Sequence, residues 1–321
     1  MLPELGRILL IANPVAHSGH GLEGAQQMEE LLKRNLPNSR FTVVLTQAPG
    51  DATALAATAT EFDTVLALGG DGVIHEVVNG LMTLPADLRP QLGIIPLGSG
   101  NDYARTLSMS KNNVEKAFYQ LKNGCVRNVD VGKVNDSYFM QTLSFGLDAA
   151  IALDTTERRA RNSSQKGEAL FFTSGLKILS HAGKSLTSIA RFDDMPPQRL
   201  ETLIFTVQLG PTYGGGFRIC PEADITDGYF DVCRNVTRPA LPHILMLFLL
   251  ARAGLHTHSK VLEFMRVRTI CLDFDEVPPC QADGEELVNT HFEISLIRML
   301  YASSQLSKSL QKRGAEKIGA S

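Results

Sequence analysis

Four short segments rich in Gly, Asp and Asn each follow an apolar run, and they hold most of the residues in the first half of the chain that could do chemistry. Asn13-Pro14 follows RILLIA (7–12), and Thr46 with Gly50-Asp51 follows FTVVL (41–45). Gly69-Gly70-Asp71-Gly72 follows TVLAL (64–68), and Gly98-Ser99-Gly100-Asn101-Asp102 follows LGII (92–95). As parallel strands of one sheet, these runs would put all four segments on the carboxyl edge, where open α/β sheets bind ligands. Gly70 and Gly72 admit left-handed dihedrals that turn successive N–H groups inward, and a helix starting near Val73 adds its dipole, so the loop could cradle phosphate oxygens. Asp71 repels phosphate unless a cation intervenes, which points to a metal–nucleotide ligand with Mg²⁺ as the ion. Plainer uses stand beside this one: glycines for tight turns, Thr46 as a strand-end cap, Asn101-Asp102 as a helix cap.

The second half offers two acidic turns, PEADITDGYFDV (221–232) and QADGE (281–285). An Asp-Gly pair next to apolar runs is also the commonest short hairpin signal, so each reads as a hairpin as readily as a site. Neither is an EF-hand, because Ala223 and Ile225 stand where ligands belong. Three other motifs fail. Gly19-His20-Gly21-Leu22-Glu23-Gly24 matches G-x-G-x-x-G but begins seven residues after its strand, and the second strand ends on Leu45-Thr46 without an acidic residue. Gly183-Lys184-Ser185 lacks the earlier glycine of a P-loop, since Ile178 holds that place, and the eight histidines show no zinc spacing.

The elements that must position these residues follow from periodicity. From residue 7 to about 131, continuous apolar runs, the last being NVDVG (128–132), alternate with helical patterns near 21–35, 51–61, 72–81 and 113–123. Continuous apolar runs mark parallel strands buried on both faces, so a doubly wound α/β domain is expected over 1–135. Beyond it, period-two runs at 200–210, 229–236, 261–274 and 291–301 predict antiparallel strands, with helices near 167–183 and 240–254. A β-sandwich or barrel domain is expected over 136–302. DTTERRARNSSQKG (154–167) reads as an exposed loop or helix end, and the polar tail 303–321 as a short docking helix or a frayed end.

Composition sets limits. A chain of 321 residues with 44% hydrophobic and 20% charged residues is folded, and its 31 Lys+Arg against 34 Asp+Glu give a net charge of −3, with no global field for nucleic acid. Five cysteines without a C-x-x-C pair indicate neither a disulfide framework nor a zinc knuckle. Pro3 and Glu4 do not suit a secretory signal, and Leu241–Ala251 is far short of the roughly 18 apolar residues of a span. A cytoplasmic protein is expected, and any membrane contact must be local, the basic stretch Arg158, Arg159, Arg161 and Lys166 being the candidate for it.

Taken together, IANP (11–14), TQAPGDA (46–52), LGGDGVIHEVVNGL (68–81), IPLGSGNDYAR (95–105), PEADITDGYFDV (221–232) and QADGE (281–285) resemble, in order and spacing, the diacylglycerol kinase catalytic-domain family, which includes bacterial lipid kinases and sphingosine and ceramide kinases. The resemblance implies a nucleotide domain like that of NAD kinases and phosphofructokinases, a C-terminal β-sandwich, and an active site in the cleft between them. It implies ATP contacts at Asn13, Thr46, Gly70, Asp71, Gly72, Val73, Glu76 and Ser99. It further implies a structural Mg²⁺ site at Asp224, Asp227 and Tyr229, and Asp283 as general base. Val73 and Ser99 depart from the family, which usually has Thr at both places; Ser99 keeps a hydroxyl and Val73 does not. The implied activity is transfer of the γ-phosphoryl group of ATP to a lipid hydroxyl at a membrane surface, with diacylglycerol the first expectation and Arg105 a candidate for phosphate neutralisation. The alternatives are an NAD kinase, which shares GGDG, and a non-catalytic nucleotide- or lipid-binding regulator. A homodimer is the assembly to expect if the chain self-associates.

Overall fold

The computed structural model describes residues 5–161, 167–179 and 185–303. These divide into two compact units, one running to Val129 and resuming at Met299, the other Asp130–Arg298. The sequence expectation put the boundary at 135/136. The chain changes unit earlier because Asp130 belongs to the second: its N–H donates to the Ile225 carbonyl at 2.7 Å, and its carboxylate accepts from the Gly228 N–H at 2.7 Å.

The first unit contains β1 (Ile8–Ala12), α1 (Ala16–Gly19), α2 (Gly21–Asn35), β2 (Phe41–Leu45), α3 (Asp51–Ala56), β3 (Thr64–Gly69), α4 (Asp71–Met82), β4 (Gln91–Pro96), α5 (Asp102–Thr106) and α6 (Val114–Lys122). Its strands are parallel in the order β2-β1-β3-β4. In β1, β3 and β4 every residue is buried, as a sheet covered on both faces requires. β2 is the exception: it lies at the edge and is only half-buried, although FTVVL is as apolar as its neighbours. Helix α2 turns Ala25, Met28, Leu31 and Leu32 to the sheet, and Asn113 starts α6 by accepting the Lys116 N–H at 2.9 Å.

β5 (Cys125–Val134) carries the chain into the second unit and forms an antiparallel hairpin with β6 (Ser137–Phe139). NVDVG is therefore not a further parallel strand of the doubly wound kind.

The second unit continues with β7 (Thr142–Gly146), α7 (Leu147–Ala160), α8 (Gly167–Leu179), β8 (Leu186–Phe192), β9 (Gln198–Thr202), β10 (Ile204–Gln208), β11 (Phe230–Asn235), α9 (Leu241–Ala251), β12 (Leu262–Val267), β13 (Thr269–Phe274), β14 (Cys280–Ala282), β15 (Glu285–Glu286) and β16 (His291–Ser303). One antiparallel sheet runs β12-β11-β10-β7-β14-β15; β9, β8, β13 and β16 form another. Their inner faces meet through aromatic rings: Phe145 on β7 lies 5.2 Å from Phe274 and 4.9 Å from Phe292, and Phe192 stacks on Phe205 at 6.1 Å. This is the expected α/β plus β-sandwich class. A second apolar cluster, including Leu147, Ile151, Phe171, Phe217 and Ile244, packs among α7, α8 and α9. Most of the charged run after residue 154 is helix α7, supported by Arg161–Glu157 at 2.5 Å and Arg158–Asp154 at 3.8 Å, both four residues apart.

Candidate functional site

The loops after β1, β2 and β3 converge in the first unit. The Thr46 N–H donates to the Ala12 carbonyl at 2.9 Å and the Asn13 N–H to Leu68 at 3.0 Å, so strand pairing holds both residues at the sheet's carboxyl edge. Glu76, one face of α4 further on, accepts the Ala52 N–H at 3.2 Å and so caps α3. Asp51 accepts the Gln47 and Ala48 N–H groups, which hold its carboxyl below the usual range and fold the Thr46–Gly50 loop. The result is a cavity of about 220 Å³ lined by Asn13, Pro14, Thr46, Gln47, Val73 and Glu76 among others. Four of the expected nucleotide residues, Asn13, Thr46, Val73 and Glu76, share it. Val73 is buried and sits over Gly69, packing where a threonine would put a hydroxyl.

Gly70, Asp71, Gly72 and Ser99 do not line this cavity, and the glycines are not left-handed. Gly70 has φ −85°, and neither it nor Gly72 has a positive φ. What Gly70 requires is space: a Cβ on Gly98 would lie 2.5 Å from the Gly70 Cα. The two loops touch backbone to backbone, and glycine is the residue that permits it. Val73 and Ile74 donate back to the Gly70 carbonyl at 3.1 and 3.3 Å, while Gly72 is exposed with open space around it. Asp71 braces the loops, accepting the Tyr103 N–H at 3.2 Å with its other oxygen against Gly100. Ser99 is exposed. Asn101, which the sequence reading placed in this loop, and Asn112, which it missed, complete it: Asn101, left-handed and 2% exposed, donates to the Gly98 carbonyl at 2.8 Å, and Asn112 accepts the Gly98 N–H at 3.0 Å. Arg105 pairs with Asp102 at 2.6 Å.

In the second unit, Asp283 occupies a left-handed position at φ +52° and accepts three amide N–H groups, Met140 at 2.7 Å, Gln141 at 3.0 Å and Thr142 at 2.9 Å. The other acidic turn is built from Asp224, which accepts the Thr226 N–H and hydroxyl, and Asp227, which accepts the Tyr229 N–H at 3.1 Å and ion-pairs with Arg266. Arg266 and Arg268 also lie over the Tyr229 ring, 4.6 and 4.7 Å from its centre. Asp130, 1% exposed and missed by the sequence reading, joins the turn through Gly228 and faces Arg298 at 3.4 Å. Burial raises the carboxyls of Asp130 and Asp227, and each is raised further by a neighbouring carboxylate. Carboxylates and backbone carbonyls are the hard oxygen donors that Mg²⁺ takes, so the donor set fits, with Arg266 as the competitor for Asp227. Among the described residues, the only three-member Cys/His/Asp/Glu set within mutual ligand distance is elsewhere: Cys271, Asp273 and His291 on β13 and β16.

Sequence reasoning also missed Asp148. It is buried at the wall of an apolar cavity of about 60 Å³ shared by α7, α9, β10 and β11, hydrogen-bonded to Tyr213, and burial pushes its carboxyl up to about 6. An aspartate just inside a helix reads from sequence as a first-turn dipole partner, so nothing local marks it. Of the basic residues expected at a membrane, Arg158 is tied to Asp154, Thr173 and Ser174, and Arg161 to Glu157. The Arg159 side chain, Lys166 and the tail from 304 lie outside the described residues.

The chain matches two family descriptions, "Diacylglycerol kinase catalytic domain" over residues 7–134 and "YegS C-terminal NAD kinase beta sandwich-like domain" over 141–297. It is 28% identical to a Bacillus subtilis protein named diacylglycerol kinase, covering 94% of this chain and 99% of the relative. With a Staphylococcus epidermidis protein of the same name it shares 30% identity over 80% of this chain and 82% of the relative. The crystal structure of a diacylglycerol kinase from Bacillus anthracis superposes with TM-score 0.77 at 23% identity, covering 94% of this chain and 98% of that one. An Archaeoglobus fulgidus NAD kinase in complex with ATP shares the fold at TM-score 0.52 and 15% identity, covering 93% and 94%.

Proposed function

Since the chain belongs to the diacylglycerol kinase catalytic-domain family, we propose that it transfers the γ-phosphoryl group of ATP to a lipid hydroxyl, diacylglycerol giving phosphatidic acid. The observation that carries this reading is the cavity where Asn13, Thr46 and Glu76 meet at the carboxyl edge of the parallel sheet, beside the paired loops at Gly70 and Gly98. The exposed Gly72 amide in the first turn of α4, with the helix dipole behind it, meets phosphate oxygens, and the Ser99 hydroxyl faces solvent from the neighbouring loop. Asp71 keeps those loops together. With the acceptor oxygen bonding to phosphorus and the bond to ADP breaking, the hydroxyl proton passes to the Asp283 carboxylate. Mg²⁺ bound with ATP neutralises phosphate charge. Asp224, Asp227 and the Tyr229 backbone are the groups that would hold a second Mg²⁺, which would organise the acidic turn beside the buried Asp130. What supports a lipid over NAD as acceptor is the likeness to relatives named diacylglycerol kinase; the cavity under α9, about 60 Å³, is too small to hold either molecule.

The test is incubation with ATP, Mg²⁺ and dispersed dioleoylglycerol, followed by mass spectrometry of the lipid extract. A lipid phosphomonoester is expected. ATP consumed with the lipid unchanged would sink the proposal.

A further inference from the structure

Helix α9 is apolar on every side. Ile244, Leu247, Phe248 and Ala251 face inward and line the cavity described above, while Leu241, Leu245, Met246 and Leu249 are 46, 36, 48 and 48% exposed. Leu255 and Val236, at 57 and 45%, extend the same stretch of chain. A helix apolar all round is normally covered on all sides. Here no element of the described residues covers one side, and an exposed apolar patch of this kind marks an interaction surface.

The charges around it identify what covers it. From Val232 through Leu262 there is no Asp or Glu, although the chain carries 34 of them. The same stretch holds Arg234, Arg238, Arg252 and Lys260 together with His243, His256 and His258. Arg234 and Arg252 pair with Glu263 and Glu168, while Arg238, Arg252, His258 and Lys260 are exposed. A second copy of this chain in a two-fold contact would present the same positive rim to itself. An apolar face on a stretch of chain that holds cations and no acids suits a bilayer surface carrying anionic headgroups, the apolar side chains entering the acyl boundary and the exposed cations meeting phosphates.

We propose that α9 and its flanks, residues 236–260, are the surface by which this protein docks on anionic lipid. The proposal rests on the lipid-acceptor reading and deepens it: the helix that touches the bilayer with one face walls the apolar cavity with the other.

Sedimentation of the full chain with phosphatidylcholine vesicles, with and without phosphatidylglycerol, tests this. The variant is Leu245→Ser/Met246→Ser/Leu249→Ser, three exposed positions whose loss leaves the cavity wall intact. Its partition onto anionic vesicles is expected to fall at least tenfold, and charge reversal by Arg238→Glu/Lys260→Glu to weaken binding as well. Turnover of a short-chain diacylglycerol dissolved as monomer is expected to stay at the wild-type rate while turnover of vesicle-borne substrate is lost. Unchanged partition of the triple variant would overturn the assignment. So would a wild-type dimer that the triple variant dissociates in light scattering, which would give the face to a second copy. A wild-type protein that binds vesicles through α9 but phosphorylates neither monomeric nor vesicle-borne lipid would refute the acceptor reading and leave the docking surface standing.

Discussion

On the proposed mechanism, Asp283 does two jobs on one carboxylate. Three amide N–H groups from Met140 to Thr142 point at it, so replacing one oxygen by NH₂ sets a donor against donors. Asp283→Asn is therefore expected to lower the melting temperature, by about 1–3 kcal/mol of stability, as well as to cut kcat by roughly 10²- to 10⁴-fold. The size of the two effects separates the roles: loss of a base cuts kcat in the fully folded variant below its melting range, whereas a purely structural defect leaves kcat there near wild type. Asp148 gives a prediction about stability alone. Its carboxyl is raised from 3.8 to about 6 by burial, so the folded state holds a proton that the unfolded state has released between those values. Stability must then fall as pH rises from about 4 to 6, by about 3 kcal/mol, and stay lowered above that range. Asp148→Asn retains an acceptor for Tyr213 without the charge, so its melting temperature is expected to exceed wild type at pH 8 and to lack this slope. Equal slopes in thermal scans of the two proteins would show that Asp148 is not the titrating group.

Two pairs of segments set the candidate site. The loops at Gly70 and Gly98 pack backbone to backbone, and a Cβ on Gly98 meets the Gly70 Cα at 2.5 Å. Gly98→Ala should push them apart and weaken Mg·ATP binding at least tenfold by calorimetry, whereas Gly72→Ala, in open space, should be tolerated in stability. The acidic turn joins Asp224–Tyr229 to Asp130, and Mg²⁺ is expected to raise the wild-type melting temperature but not that of Asp227→Ala; identical responses would leave the arginines, Arg266 at Asp227 and Arg298 at Asp130, as the turn's counter-charges. The strands and helices of the first unit were legible because burial on both faces writes itself as continuous apolar runs. That β2 lies at the edge was not, because strand order is set by crossovers and not by the composition of FTVVL. The GGDG and QADGE residues were legible as chemistry, but not their postures: the φ of Gly70 answers to Gly98, and the Asp283 carboxylate answers to amides more than 140 residues away. Asp130 and Asp148 lie in ordinary apolar context, and only burial distinguishes them.

Across the molecule, the proposed nucleotide residues lie in the first unit and the acidic turns, apolar cavity and α9 in the second. No helix among the described residues is long and apolar enough to cross a membrane. The central claim is the identity of the acceptor, and competition decides it. The full chain is given γ-labelled ATP, Mg²⁺, vesicle-borne diacylglycerol and NAD in one reaction, and the initial rate of label entering each acceptor is measured. The account predicts label in the lipid phosphomonoester and none in the dinucleotide. Label in the dinucleotide, or label released only as inorganic phosphate, would contradict it.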